Sequence, residues 1–258
     1  MTNNSFFDYD EMIMLLPEFS SLFFGRPFLE NRGGMGAPHM FGAWYALRKL
    51  RPLVIIESGV FQGQGTWLFR QACPDARIFC LDPNPDLNKY RDPQAVYLKS
   101  DFSCIPWSEY DVDPEDTLVF FDDHQNAFLR VQQCIFAGFR QIIFEDNYPP
   151  GMGDCYSIKA AQMGGGFRAD HKEFMSVPRN LFDWERLSVF LEHLEEVPPI
   201  TQPELTRWGV PWTADRFPTR APLFRASEHG QVPNEFLVDA ERFTWMCFCR
   251  LRRLTAAS

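Results

Sequence analysis

Two short segments concentrate the residues able to do chemistry: VFFDDHQ at 119–125 and IIFEDNYPPG at 142–151. Each is an apolar run that breaks into acid, which sets Asp122, Asp123 and His124 at one strand end and Glu145, Asp146 and Asn147 at another. If the two strands are neighbours, these oxygens converge. Carboxylates crowded in this way need a cation or raised pKa values to coexist. Oxygen ligands of this kind suit Mg2+, and also Mn2+ or Ca2+. The competing reading is that Asp and Asn here cap the helices that follow.

A second feature is the run Glu57-Ser-Gly-Val-Phe-Gln-Gly-Gln-Gly-Thr66. Gly59, Gly63 and Gly65 permit positive φ and a close approach of backbone to a ligand. The loop delivers the chain into a helix N-terminus, where free N–H groups favour negative charge. Its G-x-x-x-G-x-G spacing departs from the dinucleotide fingerprint G-x-G-x-x-G, and no Gly-Lys-Ser/Thr follows to make a P-loop. Asp82 ends the next apolar run, placed to accept hydrogen bonds from ribose hydroxyls.

The elements that must position these residues alternate. Apolar runs predict strands over Leu53–Glu57, Arg77–Leu81, Ala95–Leu98, Thr117–Phe121 and Gln141–Phe144. Helices are predicted over Thr66–Ala72 and about Asn126–Gly138, the latter with Phe128, Val131, Ile135 and Phe139 at helical spacing. That rhythm is a parallel α/β sheet, and it lines Glu57, Asp82, Asp122 and Glu145 along the carboxyl rim, with Asp101 three residues past the third strand. Residues 1–37 read as irregular, Pro38–Leu50 as a helix and 180–197 as an amphipathic helix. The stretch 198–222 carries Trp208 and Trp212 among six prolines and reads as a lid or binding loop. Strands around Leu223–Arg225 and Phe243–Leu251 are expected to close the sheet as an antiparallel edge pair.

The 258 residues, 45% hydrophobic and 23% charged, suit one generous domain with a lid. A net charge of -9 disfavours nucleic acid as a partner. No apolar run approaches a membrane span of roughly 18 residues, and the start, MTNNSFFDYDEM, lacks the pattern of a secretory signal. Seven cysteines without a CxxC pair fit a reduced, soluble, cytoplasmic protein. An aromatic content of 16% leaves material for a homodimer face.

The segment IIESGVFQGQGTWLFRQACPDARIFCLDPNPD resembles the first two motifs of class I S-adenosylmethionine-dependent methyltransferases, and is similar in particular to small-molecule O-methyltransferases of the catechol O-methyltransferase type. The resemblance covers residues 51–150 and hardly reaches the flanks. It implies an α/β, Rossmann-like methyltransferase fold: a mostly parallel sheet with an antiparallel edge strand and helices on both faces. Residues 1–50 would form a cap and 51–258 the methyltransferase domain. It also implies that Glu57 and Gly59 lie beside the methionine part of the cofactor, with Gly63, Gly65 and Thr66 completing the loop. Asp82 would hold the ribose, Ser100 and Asp101 would lie near the adenine, and Asp122 would border the cofactor.

In metal-dependent members the fourth strand ends in an Asp, often followed by His, and the fifth in Asp-Asn, and these bind the Mg2+ that holds the acceptor hydroxyls. Asp123-His124 and Asp146-Asn147 match that pattern. The cephalosporin-hydroxylase-like and rhamnosyl O-methyltransferase group has an Asp on strand four and Glu-Asp on strand five, which Asp122 with Glu145-Asp146 matches equally. Both versions stay open. Where the catechol enzymes carry a lysine base, this chain has Asn126, so either His124, with Asp123 beside it, is the catalytic candidate or the metal itself lowers the hydroxyl pKa, and His171 is a weaker candidate. His39 could reach the cofactor mouth, whereas His193 and His229 read as structural or surface residues. Met35, Tyr148, Trp208 and Trp212 are candidate walls of an acceptor pocket.

The activity implied is methyl transfer from S-adenosylmethionine to a hydroxyl of a small molecule, assisted by a divalent metal. The rivals are a related fold using the acidic cluster for other chemistry, a nicotinamide-dependent oxidoreductase (disfavoured by the glycine spacing), and a non-catalytic cofactor-binding scaffold.

Overall fold

The computed structural model describes residues 5–165, 182–225, 228, 232, 234 and 242–253. In chain order the elements are α1 (Tyr9–Phe24), α2 (Ala37–Leu50), β1 (Val54–Ser58), α3 (Gln64–Ala72), β2 (Arg77–Leu81), β3 (Val96–Leu98), β4 (Thr117–Phe121), α4 (Ala127–Ala137), β5 (Gln141–Phe144), α5 (Ile158–Gln162), α6 (Phe182–Ser188), β6 (Leu191–Glu196), β7 (Leu205–Thr206), β8 (Arg242–Phe243) and β9 (Cys247–Leu251). The main sheet runs β3-β2-β1-β4-β5-β9-β6. Its first five strands are parallel, and β9 is antiparallel to both β5 and β6. This is the Rossmann-like sheet expected from the sequence.

The strands are apolar throughout because both faces are covered. Ile55, Ile78, Leu118, Phe120 and Ile143 pack under α1, α2 and α3. Ile56, Phe79, Val119, Phe121 and Ile142 face the opposite way, under α4, α5 and α6. Strand order reverses between β1 and β4, which opens a crevice outside their carboxyl ends. The register aligns Ser58, Leu81, Phe121 and Phe144 on one level, so Gly59, Asp82, Asp122 and Glu145 follow along one rim.

Three expectations are corrected. The stretch expected to be irregular contains α1, capped by Asp8, whose side chain accepts from the Glu11 N–H. Pro17 inside this helix hides it from a sequence reading. An internal proline costs about 3 kcal/mol. Burial of Met12, Leu16, Phe19 and Phe23, at about 2 kcal/mol each, outweighs it. The helix expected over 180–197 ends at Ser188, and 191–196 is the edge strand β6. The closing pair is also different. β9 lies between β5 and β6, while Leu223–Arg225 contributes only a single bridge, Phe224 with Thr201.

Among the described residues no helix is long and apolar enough to cross a membrane. The seven cysteines are free thiols.

Candidate functional site

The rim is built by a close approach of β1 to β4. Gly59 has φ +93°, and a Cβ there would lie 2.0 Å from the backbone carbonyl oxygen of Asp122. Only glycine lets the loop pass. A Cβ at Gly65 would meet Glu57 Oε1 at 2.3 Å, and one at Gly63 (φ +92°) would meet the Tyr90 carbonyl at 2.2 Å. The loop is thus wrapped tightly on its own acid. Glu57 is buried and accepts from Thr66 Oγ1 at 2.5 Å. Burial pushes its carboxyl up to about 8. Asp82 ties the loop to β2: Oδ2 accepts from the N–H groups of Val60 (3.2 Å) and Phe61 (3.0 Å), and Oδ1 from that of Asn84 (2.7 Å).

The two adjacent aspartates after β4 go separate ways. Asp123 Oδ2 accepts from Ser58 Oγ at 2.6 Å and sits 2.8 Å from the guanidinium of Arg130. Arg130, only 4% exposed, also holds both carboxylate oxygens of Asp101, at 3.0 and 2.5 Å. Asp101 caps the short turn Phe102–Cys104 through the Ser103 N–H, and Ser100 before it is half-buried. The Arg130 bond holds the Asp101 carboxyl well below the usual carboxylate range.

Asp122 turns the other way. It meets His124 and Asp146 so that one ligand atom from each lies within 4.8 Å of the others. His124 adopts a left-handed backbone, φ 53°, which re-aims its ring. Its Nδ1 lies 3.1 Å from Asp146 Oδ2 and 2.9 Å from Asp154 Oδ1. The Asp154 bond, joined by the charge of Asp146, raises the imidazole to about 9. Burial, then the charge of Glu145, pushes Asp122 and Asp146 well up. Asp146 Oδ2 is buried and receives no hydrogen bond in acceptable geometry. This donor set, two carboxylates and one imidazole around an unsatisfied oxygen, fits a divalent cation.

The other sequence-predicted ligands make contacts of their own. Glu145 pairs with His39 Nδ1 at 2.5 Å, both side chains 3% exposed. Burial opposes its ionisation, yet the imidazole beside it brings the carboxyl down to about 2. Asn147 Oδ1 accepts from the Lys159 N–H at the start of α5 (2.8 Å). Tyr148 donates its hydroxyl to Asp146. Asn126, in the place of a lysine, caps α4 by accepting from the Leu129 N–H at 3.2 Å. His193 lies on the edge strand, paired with Glu195 at 3.0 Å. His171 and His229 lie outside the described residues.

Sequence reasoning missed Arg130, Asp154 and the His39–Glu145 pair. Arg130 had a readable signal, since it falls one turn after the Asn126 cap and points back toward the rim. Asp154 had none.

Two cavities lie nearby, one beside His39 and the other bordering the cluster at His124. One, of about 640 Å³, is lined by the segment around 26–38, His39, Gln64, Arg207 and Thr244, and includes Met35. The other, of about 620 Å³, is lined by His124, Tyr148, Asp154, Arg207 and Trp208 among others. Gly33 and Arg207 lie on both. Trp212 faces neither. It packs against the buried group around Tyr148, Phe217 and Trp245, and its indole N–H donates to Thr219 at 3.1 Å.

No family model and no curated protein matches the chain at a significant level. Solved structures similar to it include an O-methyltransferase from Bacillus cereus in complex with SAH, at 9% identity over 96% of this chain and 94% of that one, with a TM-score of 0.44. The tRNA (m1A58) methyltransferase TrmI from Aquifex aeolicus is similar at 10% identity over 96% of this chain and 77% of that one, TM-score 0.47. CmcI with Mg and SAM is similar at 19% identity over 43% of this chain, TM-score 0.36, and the chain spans 52% of the length of that structure.

Proposed function

We propose that the chain is an S-adenosylmethionine-dependent O-methyltransferase that acts on a hydroxyl of a small molecule with the help of a divalent cation. The observation that carries this reading is one juxtaposition at the β1/β4 reversal. There the glycine loop, wrapped on Glu57 and tied to Asp82, abuts the Asp122 carbonyl, while the Asp122 side chain belongs to the Asp122–His124–Asp146 cluster.

The loop residues Gly59, Gly63, Gly65 and Thr66, with Glu57 and Asp82, are the groups that would hold the cofactor. The course of this loop depends on side chains that are absent: a Cβ at Gly63 or Gly65 would strike the Tyr90 carbonyl or the Glu57 carboxylate within 2.3 Å. Asp122, His124 and Asp146 would hold the cation, which when bound supplies Lewis acidity and a fixed position for the acceptor oxygen. S-adenosylmethionine held by these residues would supply a methyl group activated for in-line transfer to the acceptor oxygen. With Asn126 capping a helix, Asp123 held by Ser58 and Arg130, and His124 given to the cation cluster, the hydroxyl proton would pass to water. The protein's own contribution is orientation.

Titration calorimetry with S-adenosylhomocysteine tests the reading, on the wild type and on Asp82→Ala, with and without Mg2+. Micromolar binding that is lost in Asp82→Ala supports it. No binding under either metal condition rejects methyl transfer.

A further inference from the structure

The cavity of about 640 Å³ is lined by residues that carry buried, unpartnered polar atoms. Three side chains on its lining, His39, Gln64 and Thr244, are more than nine-tenths buried. Each leaves a polar atom without a partner: His39 Nε2, Gln64 Oε1 and Thr244 Oγ1. Asn31 Oδ1, on the same lining, is a fourth. The pairing of His39 Nδ1 with Glu145 frees the opposite ring nitrogen. Native interiors seldom leave a buried polar atom unmet, and the cost falls on each one separately. Four around one cavity point to a ligand rich in hydroxyls, which both donate and accept.

The charge on the lining is a second and independent observation. The chain as a whole carries -9, yet Arg26, Arg32 and Arg207 line this cavity against a single acid, Glu30. Arg207 bridges the two cavities, forms no ion pair among the described residues, and reaches only the Gly34 carbonyl, at 3.4 Å. Glu145 and Asp154 feel its charge without a contact. A guanidinium this lightly engaged at a cavity wall is suited to a bidentate oxyanion.

We propose that this cavity receives the methyl acceptor, and that the acceptor is a small hydroxylated molecule bearing an oxyanion, carboxylate or phosphate, held by Arg207 while its hydroxyls meet His39, Gln64 and Thr244. This rests on the methyltransferase reading for the word acceptor. The ligand chemistry itself rests on the cavity alone. The competing occupant is the carboxylate of the cofactor's own methionine end.

The test is calorimetric binding of 4-hydroxybenzoate, 4-hydroxyphenyl phosphate and 4-hydroxybenzamide to the free chain and to the chain saturated with S-adenosylhomocysteine. Charge-assisted bonding at Arg207 predicts that an oxyanion binds about ten- to a hundredfold more tightly than the amide. Preference for benzoate or for the phosphate then tells the two oxyanions apart. Arg207→Gln is expected to abolish that preference, Arg207→Lys to retain part of it, and neither to change S-adenosylhomocysteine affinity more than about twofold. Equal binding of acid and amide, or no oxyanion binding at all, overturns the proposal. So does an Arg207→Gln variant that loses S-adenosylhomocysteine instead, which would assign the arginine to the cofactor. Failure of the methyltransferase reading looks different: no S-adenosylhomocysteine binding, with the oxyanion preference of the free chain intact.

Discussion

The carboxylate of Asp123 lies 2.8 Å from the buried guanidinium of Arg130, and this contact separates two neighbouring aspartates into different roles. Asp123 and Asp101 neutralise one arginine behind the rim, while Asp122 is left facing His124 and Asp146. Arg130→Ala therefore strands two carboxylates and destabilises the fold. Breaking a buried pair costs about 3 kcal/mol or more. Asp101 is partly exposed, so the lower end is expected, read by urea denaturation at pH 7. The pH dependence follows from the sign of the shift. Asp101 is depressed in the folded chain, so its stabilisation is present above the ordinary aspartate value and is lost as pH falls through the lowered one. Asp101→Asn should flatten the acid limb of the stability curve, and an unchanged limb would refute the pairing.

The proposed cation site at Asp122, His124 and Asp146 predicts opposite effects with and without metal. In EDTA, Asp122→Asn replaces a carboxyl whose ionisation burial, Glu145 and Asp146 all oppose, so its Tm should equal or exceed that of the wild type. With Mn2+ at a hundred times its dissociation constant, the wild type should gain about 2.7 kcal/mol and Asp122→Asn almost nothing. Asp123→Asn should keep the Mn2+ gain, since its oxygens belong to Ser58 and Arg130. Thermal melts of the three proteins, each with Mn2+ and with EDTA, decide the point. A lost gain in Asp123→Asn alone would reverse the assignment.

The difference between these aspartates marks the limit of what the sequence discloses. Strand ends and their acids were legible because a parallel sheet buried on both faces needs unbroken apolar runs, and LVIIE, RIFCL, TLVFF and QIIF supply them. The glycine loop was legible because only glycine fits beside the Asp122 carbonyl. Which of two adjacent carboxylates faces His124 and Asp146 depends on a side chain contributed from α4, and no local pattern states that. Helix α1 was obscured by Pro17. Strand β6 was obscured because LEHLEE at a sheet edge alternates too weakly to be told from a helix face.

Glu57 gives a prediction of opposite sign to that of Asp101. Its carboxyl is raised to about 8 by burial, so the associated stability is fully present below the ordinary glutamate value and is lost as pH rises through about 8. Wild-type stability should decline across that window by on the order of 4 kcal/mol. Glu57→Gln keeps an acceptor for Thr66 Oγ1 and removes the titration, so its curve should be flat over the same range and lie above the wild type near pH 8. Denaturation midpoints at pH 5, 7 and 8.5 measure this. Parallel curves for the two proteins would reject a raised carboxyl.

A glycine-to-alanine pair isolates the loop's contact from its backbone strain. Gly59 and Gly209 both have positive φ, +93° and +75°, so alanine is strained at either position. At Gly209 nothing lies within 4 Å of the added carbon, and the cost should be the strain alone, about 1 kcal/mol. At Gly59 the added carbon falls 2.0 Å from the Asp122 carbonyl oxygen, which is backbone and cannot rotate aside, so either the loop or the end of β4 must move. Gly59→Ala should therefore lose about 3 kcal/mol or more. Because the displaced carbonyl belongs to a residue of the cation cluster, S-adenosylhomocysteine binding and Mn2+ binding should weaken together in this variant. Gly209→Ala should leave both intact. Loss of only one of the two in a folded Gly59→Ala would mean that the loop and the acidic cluster are separate sites, and the methyl-transfer reading, which needs them side by side, would fall.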